Sequence, residues 1–233
     1  MLLVNNTVPY LLEYPIVQQN IGVRKMATPA FPVNFRTMVV QQPPGTEIYY
    51  PQVIEMADRR VQQIINQKIH QLSELLFQQQ FQQQRHHAFA QMIGTYEIKT
   101  NQRDILSLTL SNYAIAAHAA NGLTLMKSLT FDSQTGKSYQ LKDLFLPGSN
   151  YVKRLSDIVQ KQIKTRDIPT IEAFNGISPN QDFYIADKCL VLYFQEIEFT
   201  PHYVGLPIFP ISVFELEDIV KENGPLGRMA AAT

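Results

Sequence analysis

The side chains of this chain that could do chemistry are few and mostly far apart. There are five histidines and one cysteine, and in one short run, Glu196-Ile-Glu-Phe-Thr-Pro-His-Tyr203, acid, imidazole and phenol fall close together. His118, set in Ala116-Ala-His-Ala-Ala120, would serve as a general base only with a nucleophile beside it and a carboxylate to orient it. Asp132 is the carboxylate assigned to that role in a cell-wall-directed hydrolase, an alternative to the reading developed below. His86 and His87 are adjacent, beside Arg85. Metal ligation from one helix face needs a spacing such as i and i+4, so the pair reads as a solvated helix end.

Cys189 heads Cys-Leu-Val-Leu-Tyr-Phe194, the composition of a buried strand, and reads as an inert core thiol. Alone it can form neither an intrachain disulfide nor a zinc site. Thr135-Gly-Lys137 has the end of a phosphate loop without its upstream glycine, so it reads as a hairpin turn. The sequence contains no His-Glu-x-x-His, Gly-x-Ser-x-Gly or dinucleotide fingerprint, and no cofactor, metal or catalytic residue is expected. That leaves Glu198, His202 and Tyr203 as candidate ligand-binding residues. Pro201, Pro207 and Pro210 would hold them on one extended segment suited to a protein or glycan partner.

The elements that must position these residues alternate between helix and strand patterns. Val33, Phe35, Thr37 and Val39 have the period of a half-buried strand, which Pro43-Pro-Gly45 ends. From Pro51, Ile54, Ala57, Val61, Ile65, Ile69, Leu72 and Leu76 form one stripe of a long helix. Phe77 and Phe81 extend the stripe through a glutamine-rich tract. After Gly94, Tyr96 and Ile98 and then Leu106, Leu108 and Leu110 form a hairpin, with a third strand from Leu125 to Phe131 and a turn over Asp132 to Gly136. Ser149 is the expected N-cap of an amphipathic helix through Val152, Leu155, Val159 and Ile163. Phe183-Tyr-Ile185 and Leu190-Val-Leu-Tyr-Phe194 form a second hairpin.

The expected class is therefore α+β, antiparallel sheets packed with one long N-terminal helix and a second helix in the C-terminal half. The pattern divides into an extended lead-in over 1–30, an N-terminal α+β portion over 31–122, a C-terminal α+β portion over 123–222 and a flexible tail over 223–233. Apolar residues make up 45% and charged residues 17%, which suits a globular chain and not a disordered one. Twenty basic and twenty acidic side chains cancel, so no global field gathers nucleic acid. No segment approaches the roughly 20 apolar residues of a membrane helix, and Met-Leu-Leu-Val-Asn-Asn-Thr is not a signal peptide. The chain as written reads as cytoplasmic, and as extracytoplasmic if a native leader was removed.

Tyr96-Glu97, Ser128-Leu-Thr-Phe-Asp132, Thr135-Gly-Lys137, Leu141-Lys-Asp-Leu-Phe145, Phe183-Tyr-Ile185, Leu190-Val-Leu-Tyr-Phe194 and Glu198-Phe-Thr-Pro-His-Tyr-Val-Gly205 occur in order over roughly residues 30 to 220. Together they resemble the RsiV/PdaC-like family, the paired domains of unknown function shared by lysozyme-sensing anti-sigma factors and the N-terminal region of a peptidoglycan deacetylase of bacilli. The resemblance implies an α+β fold, no catalytic residue, and a binding or sensing module of the cell envelope. Its implied partner is a lysozyme-like protein or peptidoglycan. An intracellular paralogue that self-associates through the glutamine-rich helix, as a homo-oligomer, is a further alternative.

Overall fold

The computed structural model describes residues 32–42, 45–84 and 89–231. The expected lead-in and the His86–His87 pair lie outside the described residues. A five-stranded sheet is built from β1 (Asn34–Gln42), β2 (Thr46–Ile54), β3 (Phe89–Gln102), β4 (Ile105–Ala116) and β5 (Leu123–Asp132), in that order across the sheet. The long helix α1 (Arg59–Gln84) links β2 to β3. These two strands pair in parallel over Thr46–Ile48 and Met92–Gly94, and the other neighbours pair antiparallel. After α2 (Tyr151–Thr165) comes a three-stranded antiparallel sheet of β6 (Phe183–Ala186), β7 (Cys189–Tyr193) and β8 (Ile208–Ser212), and a short helix α3 (Pro225–Ala230) closes the chain. The class is α+β, as expected.

The helix begins at Arg59, and Pro51 to Ile54 belong to β2. Ile54 and Ala57 fall on helical spacing by coincidence, because the chain is broken between them at Glu55, whose φ is 58°. The helix start is set by Asp58, whose carboxylate accepts from the backbone N–H of Arg60 (2.8 Å) and Val61 (3.2 Å). Val61, Ile65, Ile69 and Leu76 are buried against Leu106, Leu108 and Leu110 of β4. The helix runs through the glutamine tract. Phe77 and Phe81 pack edge to face at 5.0 Å, and Gln80, fully buried, donates to the carbonyls of Asn112 and Leu123. The buried glutamine amide thus finds acceptors on strand carbonyls and is not left without partners.

The other face of the five-stranded sheet carries Thr100, Ser107, Thr109 and Thr130, all buried. Thr100 stands opposite Ser107 and Ser107 opposite Thr130, so the hydroxyls form a row across three strands. Strand β6 is an outer strand of its own sheet, and this row supplies its missing hydrogen bonds. Ile185 N–H donates to Ser107 Oγ (2.9 Å), Thr100 Oγ1 donates to Ile185 C=O (2.9 Å) and accepts from Asp187 N–H (3.0 Å). Ser128 Oγ donates to Phe183 C=O, and Ser107 Oγ and Thr130 Oγ1 share a bond of 2.8 Å. The two sheets are therefore joined by polar groups on one strand edge. The expected boundary between residues 122 and 123 falls between β4 and β5, neighbouring strands of one sheet.

Three further expectations are corrected. The N-cap of α2 is Asn150, without a side-chain bond, while the Ser149 hydroxyl is buried and unpartnered among the described residues. The Pro147-Gly148 turn, with Gly148 at φ 78°, delivers the chain to the helix one residue later than its apolar spacing suggests. Of the residues expected to fray, Pro225–Ala230 form a helix. Leu226 and Met229 of α3 are buried in the core that α2 shares with the three-stranded sheet. Arg103, in the two-residue turn between β3 and β4, donates to the carbonyls of Arg228 (2.6 Å) and Ala231 (2.7 Å), pinning the end of α3. Finally, His202 to Val204 form a 3-10 turn and not an extended segment. Extended geometry resumes in β8, where Gln162 of α2 and Arg166 at its C-cap donate to the carbonyls of Pro210 and Ile208.

Candidate functional site

The loop from Gln195 to Gly205 connects β7 to β8 and lies along the outer edge of β5. Its first residue imitates a neighbouring strand: the Gln195 amide accepts from Met126 N–H (3.1 Å) and donates to Met126 C=O (2.8 Å). Glu196 is the second attachment, its Oε2 accepting from Thr124 N–H at 3.2 Å. The third is His202, whose Nε2 lies 3.1 Å from Gly122 C=O. A carbonyl only accepts, so Nε2 carries the hydrogen. The Glu196 carboxylate lies 3.7 Å from the same nitrogen, beyond hydrogen-bond range.

Glu198 closes the turn from within, its Oε2 accepting from Gln195 N–H at 2.9 Å. Phe199 and Thr200 are buried beneath. Above these attachments stand two large apolar side chains. Tyr203 is 78% exposed and Ile197 49% exposed. Ile197 also has φ 63°, the left-handed region that a β-branched residue adopts only under strain. The structure thus brings Glu198, His202 and Tyr203 into one loop, with Glu198 and His202 bonded into its framework and Tyr203 projecting from it. Sequence reasoning missed Ile197, because nothing in its residue type announces a left-handed backbone.

The hydrolase pairing is not assembled. His118 follows β4 at its far end, near Ala116, whereas Asp132 stands opposite Ile105 at the other end. Eleven residues of strand at roughly 3.3 Å each put them about 35 Å apart. Asp132 is instead occupied by Arg228 (2.9 Å), Tyr139 (3.3 Å) and the backbone of its own turn, where Gln134 and Thr135 N–H donate to Oδ1. Burial alone would raise this carboxyl, but hydrogen bonds from Arg228 and Thr135 and the guanidinium charge outweigh it and hold its pKa below the usual value. The Cys189 thiol is pushed up by burial and then by the charges of Asp187 and Glu215, so it stays protonated at neutral pH. Among the described residues no three His, Cys, Asp or Glu side chains could together hold a metal ion. No described helix is long and apolar enough to cross a membrane.

A concavity of about 620 Å³ lies away from the loop where Phe35, Ile98, Lys99 and Asp187 meet. It is crossed by a 3.1 Å bond from Gln102 to Asp187, and the Lys99 ammonium lies 5.0 Å from the Tyr184 ring centre.

Residues 142–213 match a family model described as "Protein of unknown function (DUF3298)". The DUF3298-like segment holds α2, the three-stranded sheet and the whole Gln195–Gly205 loop. Over a longer span the chain is similar in fold to a solved member of the DUF3298 family from Bacteroides fragilis. The TM-score is 0.64 at 13% identity, over 86% of this chain and 98% of that one. A DUF3298 family protein from Pseudomonas aeruginosa PAO1 gives a TM-score of 0.62 at 13% identity, over 84% and 96%. Both likenesses are of fold. No curated protein matches the chain.

The phrases that carried the resemblance have visible structural work. Ser128 and Thr130 belong to the hydroxyl group beneath β6, and Phe183 and Ile185 are the residues it holds. Asp132 caps its turn through Thr135, and Asp143 in Leu141–Phe145 accepts from Gln140 N–H to start a 3-10 turn. Ser128, Thr130, Phe183 and Ile185 thus build the joint between the sheets, and Asp132 and Asp143 shape local turns.

Proposed function

We propose that this chain is a non-catalytic binding or sensing module, related to cell-envelope sensors, that holds a protein partner through the Gln195–Gly205 loop. Ile197 is the observation that carries the reading. A left-handed backbone at a non-glycine residue is unfavourable by roughly 1–2 kcal/mol, and half of the side chain stays exposed. Glycine would relieve the backbone and asparagine would suit both backbone and solvent, so folding alone does not favour isoleucine here. Strain kept in the same loop as an exposed tyrosine supports a recognition surface. Tyrosine anchors bury much area with few rotatable bonds, while Glu196, Glu198 and His202 provide a polar rim, Glu196 bonded to β5, His202 to Gly122 just before it and Glu198 within the loop.

The RsiV/PdaC-like resemblance supplies the partner class, a lysozyme-like protein, with peptidoglycan fragments as the second ligand and an extracytoplasmic setting. The N- and C-terminal portions then serve as frame and reader, the reader's loop braced on its own strand β5. The test is equilibrium binding of c-type lysozyme and of soluble muropeptides to the parent chain and to Tyr203→Ala. Saturable binding of lysozyme, weakened about 30-fold by the substitution, is expected for an anchor worth about 2 kcal/mol. Equal affinity of the two chains would remove the loop from the interface.

A further inference from the structure

Three asparagines of this chain are followed by glycine: Asn121, Asn175 and Asn223. In such a pair the glycine nitrogen is tethered beside the asparagine side-chain carbonyl, and no Cβ shields it, so intramolecular attack is open wherever the backbone can turn. The fold treats the three pairs differently. Gly224 N–H donates to Lys221 C=O at 2.9 Å as the chain enters α3, so its nitrogen is engaged. Gly122 N–H has no partner among the described residues, but the Tyr113 ring closes over that glycine, and a Cβ there would stand 2.3 Å from a ring carbon. The Gly122 carbonyl is held as well, 3.1 Å from His202 Nε2.

Neither restraint applies to Asn175 and Gly176. They lie between α2 and β6, in a stretch, 173–178, that forms neither helix nor strand, and Asn175 is exposed. Gly176 N–H has no hydrogen-bond partner among the described residues. Its φ is 102°, and a Cβ there would meet only the Ser156 side chain, at 3.1 Å. The fixed points of the stretch stand on either side of the pair. Phe174 packs against Phe194 and Phe199, with ring centres 5.9 and 5.6 Å away, and Ile177 N–H donates to Ser156 Oγ at 3.0 Å.

We infer that Asn175 is a modification site, where the folded chain deamidates spontaneously to aspartate and isoaspartate in preference to Asn121 and Asn223. The Gly176 nitrogen gives its proton to solvent and attacks Asn175 Cγ. The new N–C bond forms as the bond from Cγ to the side-chain nitrogen breaks, and that nitrogen takes a proton from solvent and leaves as ammonia. Water then opens the succinimide ring at either carbonyl, so water is the only co-reactant. Both products add a negative charge, and isoaspartate also lengthens the main chain by one atom between Phe174 and Ile177. Phe174 touches Phe199, which lies beneath the Gln195–Gly205 loop, so the change falls beside that loop. Nothing in this chemistry depends on what the loop binds.

The test keeps the folded chain in mildly alkaline buffer at physiological temperature and samples it over days. Trypsin digestion at mildly acidic pH then gives the peptides 104–127, 167–188 and 222–228, each with one of the three pairs. Mass spectrometry reads the conversion of amide to acid, and an isoaspartyl methyltransferase labels the isoaspartate. Asn175 should convert about fivefold to tenfold faster than Asn223, whose attacking nitrogen must first release an ordinary hydrogen bond, and faster than Asn121 beneath its ring. In guanidinium chloride the three rates should come together. Conversion of Asn121 or Asn223 as fast as Asn175 in the folded chain, or a lead at Asn175 that persists after unfolding, would overturn the assignment.

Discussion

Ser107→Ala probes the joint between the sheets directly. The Ser107 hydroxyl is fully buried, accepts from Ile185 N–H at 2.9 Å and shares a 2.8 Å bond with Thr130 Oγ1. Removing one oxygen leaves two buried polar groups without partners, each worth about 1–3 kcal/mol when orphaned. Allowing for partial relaxation, the chain should lose about 2–5 kcal/mol, a fall in Tm of about 4–20 °C at this size. Urea denaturation of the parent, Ser107→Ala, Thr130→Val and the double variant measures this. The double variant should lose clearly less than the sum of the singles, since both remove the same bond. Ser111→Ala, on the half-exposed end of the same strand, is the control and should stay within about 0.5 kcal/mol of the parent. A Ser107→Ala chain as stable as that control would refute the view that hydroxyls hold β6 in place.

Asn112 offers the opposite case. Both ends of its buried side-chain amide lack partners among the described residues, so Asn112→Leu should stabilise the chain by about 1–2 kcal/mol, read as a higher urea midpoint. Asp132→Asn should lower stability at neutral pH by about 1–3 kcal/mol through its bonds to Arg228 and its own turn. The folded pKa of Asp132 lies below the ordinary 3.8, so this stabilisation is complete above that value and lost as pH falls through the lower one. The gap between parent and variant should therefore close in acid, as denaturation at neutral pH and near pH 2 will show. Ile197→Gly should raise stability by up to about 1 kcal/mol while weakening partner binding, because it relieves a left-handed residue and removes an exposed apolar contact.

Much of the fold can be read from periodicity. Leu106, Leu108 and Leu110 alternate as β4 does, and Ile65 and Ile69 lie on the buried stripe of α1. The glutamine tract continues the helix because Phe77 and Phe81 keep that stripe. Other features depend on contacts distant in the chain. β2 was hidden because its last apolar residue, Ile54, lies in helical register with Val61, and only the backbone reversal at Glu55 separates them. The face carrying Ser107 and Thr109 has the pattern of a solvent side, yet it is covered by β6, about 80 residues later. The site shows the same division. The run from Glu196 to Tyr203 stands out by composition, but its anchoring to Gly122, Thr124 and Met126 and the strain at Ile197 are properties of the folded loop. The distance between His118 and Asp132 likewise emerges only from the register of β4 with β5.

The most direct test of the binding account is equilibrium titration of c-type lysozyme against the parent chain and Tyr203→Ala, at physiological salt and with soluble muropeptides in parallel. The account predicts saturable binding of lysozyme that falls about 30-fold when the exposed ring is removed. Saturation by neither ligand, or equal affinity of the two chains, would contradict it and leave self-association, visible as a concentration-dependent mass, as the role to pursue.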